Sequence, residues 1–205
     1  KKNKCLLAES TIFNYHKQFA EGLRLCGGLK NISHISSFFC IPKPKAGNIK
    51  LSAKLEGGAL NDMGPYAASL CRLFLKKKPK SFLAKGEIKN GIIKKFFMSA
   101  SNKVTINSYF SHADNYLNEI HLFATDKRVV ITRAFSPDQE LECKIHIFKN
   151  NKMQIFFVKK ESTFSNFFKV YLNFVKKKKY KAFYKVISYD AEIREMLKNE
   201  IKKEY

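Results

Sequence analysis

Residues 104–110 read Val-Thr-Ile-Asn-Ser-Tyr-Phe, a run in which apolar and polar side chains largely alternate. A period of two predicts a half-buried β-strand. The pattern recurs from about residue 82 to residue 158, interrupted by short breaks such as Asn90-Gly91 and Asn150-Asn151. These residue types readily adopt the positive φ angles of tight hairpins. The region therefore predicts successive strands of a mainly antiparallel sheet.

Helical periodicity flanks this region on both sides. Apolar residues three or four positions apart predict a helix through residues 19–26 and further helices over 66–75 and 163–176, followed by a helical C-terminus. Pro65 is expected to open the second helix, because the first N–H groups of a helix have no partner anyway. The predicted fold class is α+β, an open and mainly antiparallel sheet covered by helices on one face.

The charge of the 205-residue chain is strongly positive, with 39 Lys and Arg against 17 Asp and Glu and a formal net charge of +22. A coding bias that places lysine at solvated positions explains this excess, and so does attraction of an anionic partner such as a phosphorylated substrate. Few of the cations are arginine, and no nucleic-acid-binding signature occurs, so we expect no nucleic-acid partner. We also expect no membrane partner, since no apolar run approaches about 20 residues.

The cysteines indicate a reducing compartment. They number 5, an odd count, and no two are spaced as Cys-x-x-Cys. Buried free thiols of a cytoplasmic protein fit this pattern better than a disulfide framework. The histidines show no ligand spacing, so we predict no metal site.

The most informative stretch is residues 56–66, Glu-Gly-Gly-Ala-Leu-Asn-Asp-Met-Gly-Pro-Tyr. Its glycines predict tight turning or a close approach of backbone. Asp62 and Tyr66 are four residues apart at an expected helix start, where the carboxylate could orient the phenol as a general acid. The alternative is that the glycines form a loop, Asp62 caps a helix and Tyr66 is ordinary packing.

These residues resemble a known family. Residues 57–66 look like the GGALxDxGxY signature of the Gfo/Idh/MocA oxidoreductases. Residues 9–18 resemble that family's EAFMYRFHPQ segment, with Asn14 in place of arginine and Lys17 in place of proline, and residues 48–50 resemble its NIR element. The stretches Tyr116–Ile120 and Arg133–Pro137 are similar to strands of its sugar-nucleotide ketoreductase branch.

The resemblance implies the C-terminal part of an NAD(P)-dependent oxidoreductase that interconverts a keto and a hydroxyl group on a phosphorylated or nucleotide-linked sugar. NAD or NADP would be bound mainly by an N-terminal Rossmann domain, whose GxGxxG loop and EKP motif do not occur in this sequence. Residues 1–13, with their apolar run Cys5–Ala8, would be the last strand of that domain. Residues 14–205 would bind substrate and form a homodimer through the sheet. The alternative is a non-catalytic remnant that binds a sugar or dimerises.

The resemblance also assigns the residues that carry the chemistry. Tyr66 would be the catalytic acid/base that protonates the carbonyl oxygen, and Asp62 the acidic residue that shapes its site. Asn14 stands where the family has an arginine, which puts its expected cofactor contact in doubt.

Four further residues would bind substrate. Lys50 would line the mouth of the substrate site. His16 would contact substrate or, alternatively, make a hydrogen bond at a helix start. Tyr116 and Arg133 could touch substrate, with core or surface packing as the alternative for each.

Overall fold

The computed structural model describes residues 5–203, which form four α-helices and one eight-stranded sheet. The helices are α1 (Lys17–Leu25), α2 (Ala59–Leu70), α3 (Thr163–Lys176) and α4 (Lys181–Lys202). The strands are β1 (Ile32–Cys40), β2 (Ser81–Lys89), β3 (Ile92–Ser101), β4 (Thr105–Ser111), β5 (Leu117–Ala124), β6 (Lys127–Thr132), β7 (Cys143–Lys149) and β8 (Lys152–Val158).

The strands lie in the order β2-β3-β4-β1-β5-β6-β7-β8. Neighbouring strands are antiparallel except β1 and β4, which run parallel and are separated in the chain by α2, β2 and β3. The hairpin turns have the expected geometry, with φ of 54° at Asn90, 74° at Gly91, 50° at Asn150 and 58° at Asn151. The predicted antiparallel sheet over residues 82–158 is confirmed, and β1 adds a strand at its centre.

One face of the sheet carries the core. Its fully buried side chains include Ile35, Phe96, Ile106, Phe110 and Ile120. Helix α1 packs on β6 and β7, α2 on β3 and β4, and α4 on β2. Burial of each large apolar side chain contributes about 1.5–3 kcal/mol to folding. The predicted covering of the sheet by helices on one face is confirmed.

Helix α2 begins earlier than the sequence suggests. It starts at Ala59 after Gly58, so Pro65 lies inside the helix and does not open it, and the predicted start at residue 66 is seven residues too late. A proline in a helix removes one backbone hydrogen bond, here to the carbonyl of Asn61. Burial of most of the α2 apolar residues offsets this loss. Residues 71–75 continue as a wider π-helical turn.

Helix α3 occupies the predicted residues 163–176, but its apolar stripe is only partly buried. Phe167 packs into a small second cluster with Ile12 and Phe183, whereas Phe164 and Phe168 are at least half exposed. Within residues 5–203, no helix combines the length and the apolar character that crossing a bilayer requires.

The N-terminal segment departs from its predicted form. Residues 5–12 form neither helix nor strand, so the strand expected at Cys5–Ala8 is not present. A strand needs a neighbour for its backbone hydrogen bonds, and no described strand runs beside this segment. Cys5 is exposed, contrary to expectation, while the other four cysteines are buried. The assignment of residues 1–13 to a nucleotide-binding domain stays a prediction, and residues 1–4 lie outside the described part.

Candidate active site

Three charged or polar side chains meet at the N-terminal turn of α2. The Oδ2 atom of Asp62 accepts a hydrogen bond of 2.9 Å from Nε2 of His112 and a second one from the ammonium of Lys50. Lys50 lies in a short turn whose backbone is held by the side chain of Asn48. Burial opposes ionisation of Asp62, but the hydrogen bonds from His112 and Lys50 outweigh it and hold the pKa of Asp62 below its usual value. Asp62 is therefore a carboxylate at neutral pH.

Tyr66 lies one helical turn after Asp62, at the edge of the core. The Tyr66 hydroxyl makes no hydrogen bond to any residue within 5–203. Burial, and then the negative charge of Asp62, raise the pKa of Tyr66, so the phenol keeps its proton at neutral pH. The Tyr66 ring packs against three phenylalanine rings with centroid distances of 5.3 Å to Phe39, 5.4 Å to Phe135 and 6.1 Å to Phe13.

The structure brings Lys50, Asp62 and Tyr66 together as the motifs imply, but it changes the role of Asp62. No hydrogen bond joins Asp62 to Tyr66, so the expected orientation of the phenol by the carboxylate is not observed. His112 was not identified from the sequence. It is 50 residues from Asp62 and follows β4, so only the pairing of the strands brings the two together.

The double glycine that precedes α2 is required by close packing of backbone. A Cβ atom at Gly57 would lie 2.5 Å from the carbonyl oxygen of Ile49. Gly58 has a φ of +100°, and a Cβ there would lie 2.9 Å from the carbonyl oxygen of Ile93. The predicted close approach is confirmed. These glycines dock the start of α2 against its neighbours and leave no open cradle for phosphate.

We expect Gly58→Ala to destabilise the protein more than the matched variant Gly28→Ala. Both glycines have positive φ with extended ψ (93° and 169° at Gly28, 100° and 158° at Gly58), a region that costs alanine about 1–3 kcal/mol. Nothing lies within 4 Å of a Cβ at Gly28, whereas the Ile93 carbonyl blocks one at Gly58. We expect an additional loss of about 1–3 kcal/mol at Gly58. Urea unfolding gives the free energy of unfolding of both variants, and equal losses of stability in the two would contradict the packing argument.

His16 lies at the start of α1, as the alternative interpretation stated. Its Nδ1 accepts a hydrogen bond of 3.2 Å from the backbone N–H of Gln18, which caps the helix. Its Nε2 is 4.0 Å from Sγ of Cys143, and the side chain is buried. Burial lowers the pKa of His16. The structure therefore gives His16 a structural role, and substrate contact by this residue stays a prediction.

Tyr116 and Arg133 lie at the two ends of the β5–β6 hairpin, immediately before β5 and immediately after β6. The Tyr116 side chain is exposed, and its hydroxyl accepts a weak hydrogen bond of 3.4 Å from Asn118. The side-chain amide oxygen of Asn118 accepts a hydrogen bond from the backbone N–H of Phe135, the residue whose ring contacts Tyr66. Arg133 pairs at 3.5 Å with Asp138 and is half exposed. Tyr116 and Arg133 are thus each two residues from the Asn118–Phe135 contact that borders the Tyr66 ring, and their own contact with substrate stays a prediction.

Asn14 faces a different region. It lines a cavity of about 180 Å³ between the N-terminal segment and the helices α3 and α4, together with Arg72 and Asp190. Neither Tyr66 nor Asp62 lines that cavity. The Oδ1 atom of Asn14 is buried without a hydrogen-bond partner in the described residues. A cofactor contact by Asn14 therefore stays a prediction.

Comparison with known proteins gives one curated relative and several solved structures. No family model matches the chain. The dTDP-3,4-didehydro-2,6-dideoxy-alpha-D-glucose 3-reductase of Streptomyces violaceoruber is 35% identical over 72 residues, which are 34% of this chain and 21% of that protein.

Three solved structures share the fold at low sequence identity. KijD10, a 3-ketoreductase from Actinomadura kijaniata in complex with NADP and TDP-benzene, is 19% identical with a TM-score of 0.85, over 98% of this chain and 64% of its own. The aldose-aldose oxidoreductase of Caulobacter crescentus is 13% identical with a TM-score of 0.82, and the match covers 100% of this chain and 64% of that protein. The UDP-N-acetylglucosamine 3-dehydrogenase of Acidithiobacillus ferrooxidans is 13% identical with a TM-score of 0.68, and the match covers 97% of this chain and 64% of that protein. The chain thus spans less than two thirds of the proteins it matches.

Proposed function

The chain has the fold of the C-terminal domain of the Gfo/Idh/MocA oxidoreductases, and from this premise we propose that it is the catalytic C-terminal part of an NAD(P)-dependent sugar oxidoreductase. The proposed reaction interconverts a keto and a hydroxyl group on a nucleotide-linked sugar. Support comes from the names of the relatives, which are sugar reductases and dehydrogenases, and from the motif residues that meet at α2.

The observation that carries the proposal is the unpaired hydroxyl of Tyr66. It is protonated at neutral pH, lies against aromatic rings, and has no competing partner among the described residues. Reduction of a ketone places negative charge on the carbonyl oxygen as the carbon gains a hydride. Tyr66 can donate its proton to that oxygen, and the resulting phenolate is reprotonated from solvent. The ketone becomes a secondary alcohol, and the reverse sequence oxidises it.

The described residues fit the reacting end of a nicotinamide cofactor better than its phosphates. When bound, the reduced nicotinamide supplies the hydride. The unpaired Tyr66 hydroxyl suits a carbonyl held beside it, whereas the backbone around Gly57 and Gly58 is closed. The sequence has no GxGxxG loop to cradle a pyrophosphate. We propose that residues outside this chain bind most of the NAD or NADP.

The substrate class follows from charge as well as from the relatives. A nucleotide-linked sugar carries a diphosphate, and the net charge of +22 attracts such an anion. Lys50 is one third exposed where it pairs with Asp62, and Tyr116 is an exposed aromatic side chain bonded to Asn118. We propose that these two side chains contact the sugar nucleotide.

The test is a steady-state assay of the complete protein with NADH or NADPH and dTDP- or UDP-linked keto sugars. The proposed function predicts oxidation of one cofactor that depends on the sugar nucleotide. Binding of the nucleotide sugar without oxidation of either cofactor would instead support the non-catalytic alternative.

We also propose a homodimer through the uncovered face of the sheet. No described helix packs on that face, where side chains from five adjacent strands form one cross-strand row. The row consists of Ser36, His121, Val130, His146 and Ile155. The pairs Phe38–His121 and His34–Phe123 extend the row, so aromatic and apolar side chains of adjacent strands share this face, as is typical of an interface.

We expect the wild-type chain to sediment as a dimer and Ile155→Lys to dissociate it. Ile155 is 42% exposed, so lysine is tolerated in the monomer, but it would place an unpaired ammonium in the proposed interface. Leu55→Lys is the matched control, because Leu55 is also exposed (61%) and lies before α2, off this face. Sedimentation equilibrium separates the outcomes. A monomeric wild type, or a dimer that survives Ile155→Lys, would exclude this interface.

A further inference from the structure

His112 is buried at the site and bonded to one atom of Asp62. Its side chain is 2% exposed, and Nε2 lies 2.9 Å from Oδ2 of Asp62. Because a carboxylate only accepts hydrogen bonds, Nε2 carries the proton in this contact. Nδ1 is buried and has no hydrogen-bond partner in the described residues, so the Asp62 contact is the one hydrogen bond that the imidazole makes there.

The same oxygen of Asp62 also accepts a hydrogen bond from the ammonium of Lys50, which lies in the short turn Ile49–Leu51. Asp62 and Tyr66 are one helical turn apart, a spacing at which two side chains can readily meet. The carboxylate nevertheless faces His112 and Lys50. The aromatic rings that pack on the Tyr66 ring are those of Phe13, Phe39 and Phe135.

We propose that His112 and Lys50 are positioning residues that hold the Asp62 carboxylate away from the Tyr66 hydroxyl, so that the Tyr66 proton stays available to substrate. The inference about substrate rests on the proposed function, whereas the arrangement itself does not. His112 and Lys50 also offset the negative charge of Asp62 when Tyr66 becomes a phenolate.

A second tyrosine in the molecule shows the opposite arrangement, in which a phenol is bonded to a nearby carboxylate. The hydroxyl of Tyr109 donates a hydrogen bond of 2.7 Å to Oδ2 of Asp114. Burial, together with this hydrogen bond and the charge of Asp114, raises the pKa of Tyr109 to about 12. The proton of a phenol bonded in this way is shared with the carboxylate and is less available to a substrate. Asp62 is about as near to Tyr66 in the sequence as Asp114 is to Tyr109, but the Tyr66 hydroxyl is not bonded to it.

The test is a titration of the Tyr66 phenol in the chain itself, by NMR of tyrosine ¹³Cζ, with the Tyr66 signal assigned from Tyr66→Phe. We expect His112→Leu to free Asp62 to accept from Tyr66 and so to raise the pKa of Tyr66. His112→Gln should leave it unchanged, because the amide N–H can replace Nε2 as donor. Asp62→Asn should lower the pKa of Tyr66, because it removes the negative charge.

Lys50→Met is the second variant, since Lys50 is partly exposed and its loss does not open the core. Lys50→Met should raise the pKa of Tyr66, as His112→Leu should. The Tyr109 signal is the internal control and should not move. An unchanged Tyr66 titration in either folded His112→Leu or Lys50→Met, or equal shifts in His112→Leu and His112→Gln, would overturn the inference.

Turnover of the complete protein separates this inference from the proposed function. If wild type turns over and the inference holds, kcat of His112→Leu falls at least about tenfold, with little change in KM and with recovery in His112→Gln. No turnover by wild type, with the expected titration shifts, would refute the proposed function and leave the positioning of Asp62 intact. Turnover without titration shifts would refute the positioning alone.

Discussion

Tyr66→Phe should lower turnover of a nucleotide-linked keto sugar by about 10²–10⁴, the usual contribution of a positioned general acid. The substitution removes the hydroxyl that has no other partner among the described residues, and it keeps the ring that packs against Phe39 and Phe135. Folding should therefore be almost unchanged. The measurement is kcat and kcat/KM of the complete protein at saturating cofactor, with urea unfolding in parallel.

Tyr109→Phe is the matched control. Tyr109 is also partly buried, but its hydroxyl is bonded to Asp114 and its register places it on β4 opposite Phe38 and Phe97. Its loss should affect stability more than turnover. If Tyr66→Phe retained more than about a third of wild-type kcat with chemistry rate-limiting, proton donation from Tyr66 would be excluded. Tyr66 would then be a packing residue, as the alternative interpretation of the motif states.

The sheet was predictable because its strands follow one another along the chain and each turn carries its own local signal. Asn90-Gly91 and Asn150-Asn151 adopt the positive φ angles that their residue types favour. The start of α2 was not predictable in this way. Pro65 is typical of a helix start, but burial of the α2 apolar face outweighs the hydrogen bond that proline removes. Local preference decided the hairpins, and tertiary packing decided the helix.

In the candidate site, too, the residues of local motifs were predictable and the residue brought in by tertiary packing was not. Lys50, Asp62 and Tyr66 belong to recognisable motifs close together in the chain, and the structure brings them together. His112 belongs to no motif, since its contact with Asp62 exists only once β3 and β4 pair and α2 packs on them. For His16 the sequence left two possibilities open. The helix-start hydrogen bond is the one that the structure contains.

The second large effect is expected at a buried ion pair that joins the end of α2 to α4. Nε of Arg72 donates to both carboxylate oxygens of Asp190, at 2.9 Å and 3.2 Å, and Ser69 donates to the same carboxylate at 3.3 Å. The Asp190 side chain is 3% exposed. Burial raises the pKa of Asp190, although Arg72 and Ser69 act in the opposite direction. The carboxylate is thus tolerated in the core largely because Arg72 is present.

Arg72→Met should destabilise the protein by about 3–5 kcal/mol near pH 7, because it leaves a buried carboxylate without its cation. The double variant Arg72→Met/Asp190→Leu should recover much of that loss, since both charges are then absent.

In the folded single variant Arg72→Met, the pKa of Asp190 should rise further above its unfolded value. A carboxyl raised in this way favours folding below its unfolded pKa and loses that contribution as pH rises through the folded pKa. The variant should therefore lose less stability at about pH 5 than at neutral pH. Urea unfolding at both pH values tests this, and a loss that is independent of pH, or a double variant as unstable as the single one, would show that the unpaired Asp190 charge is not the cause.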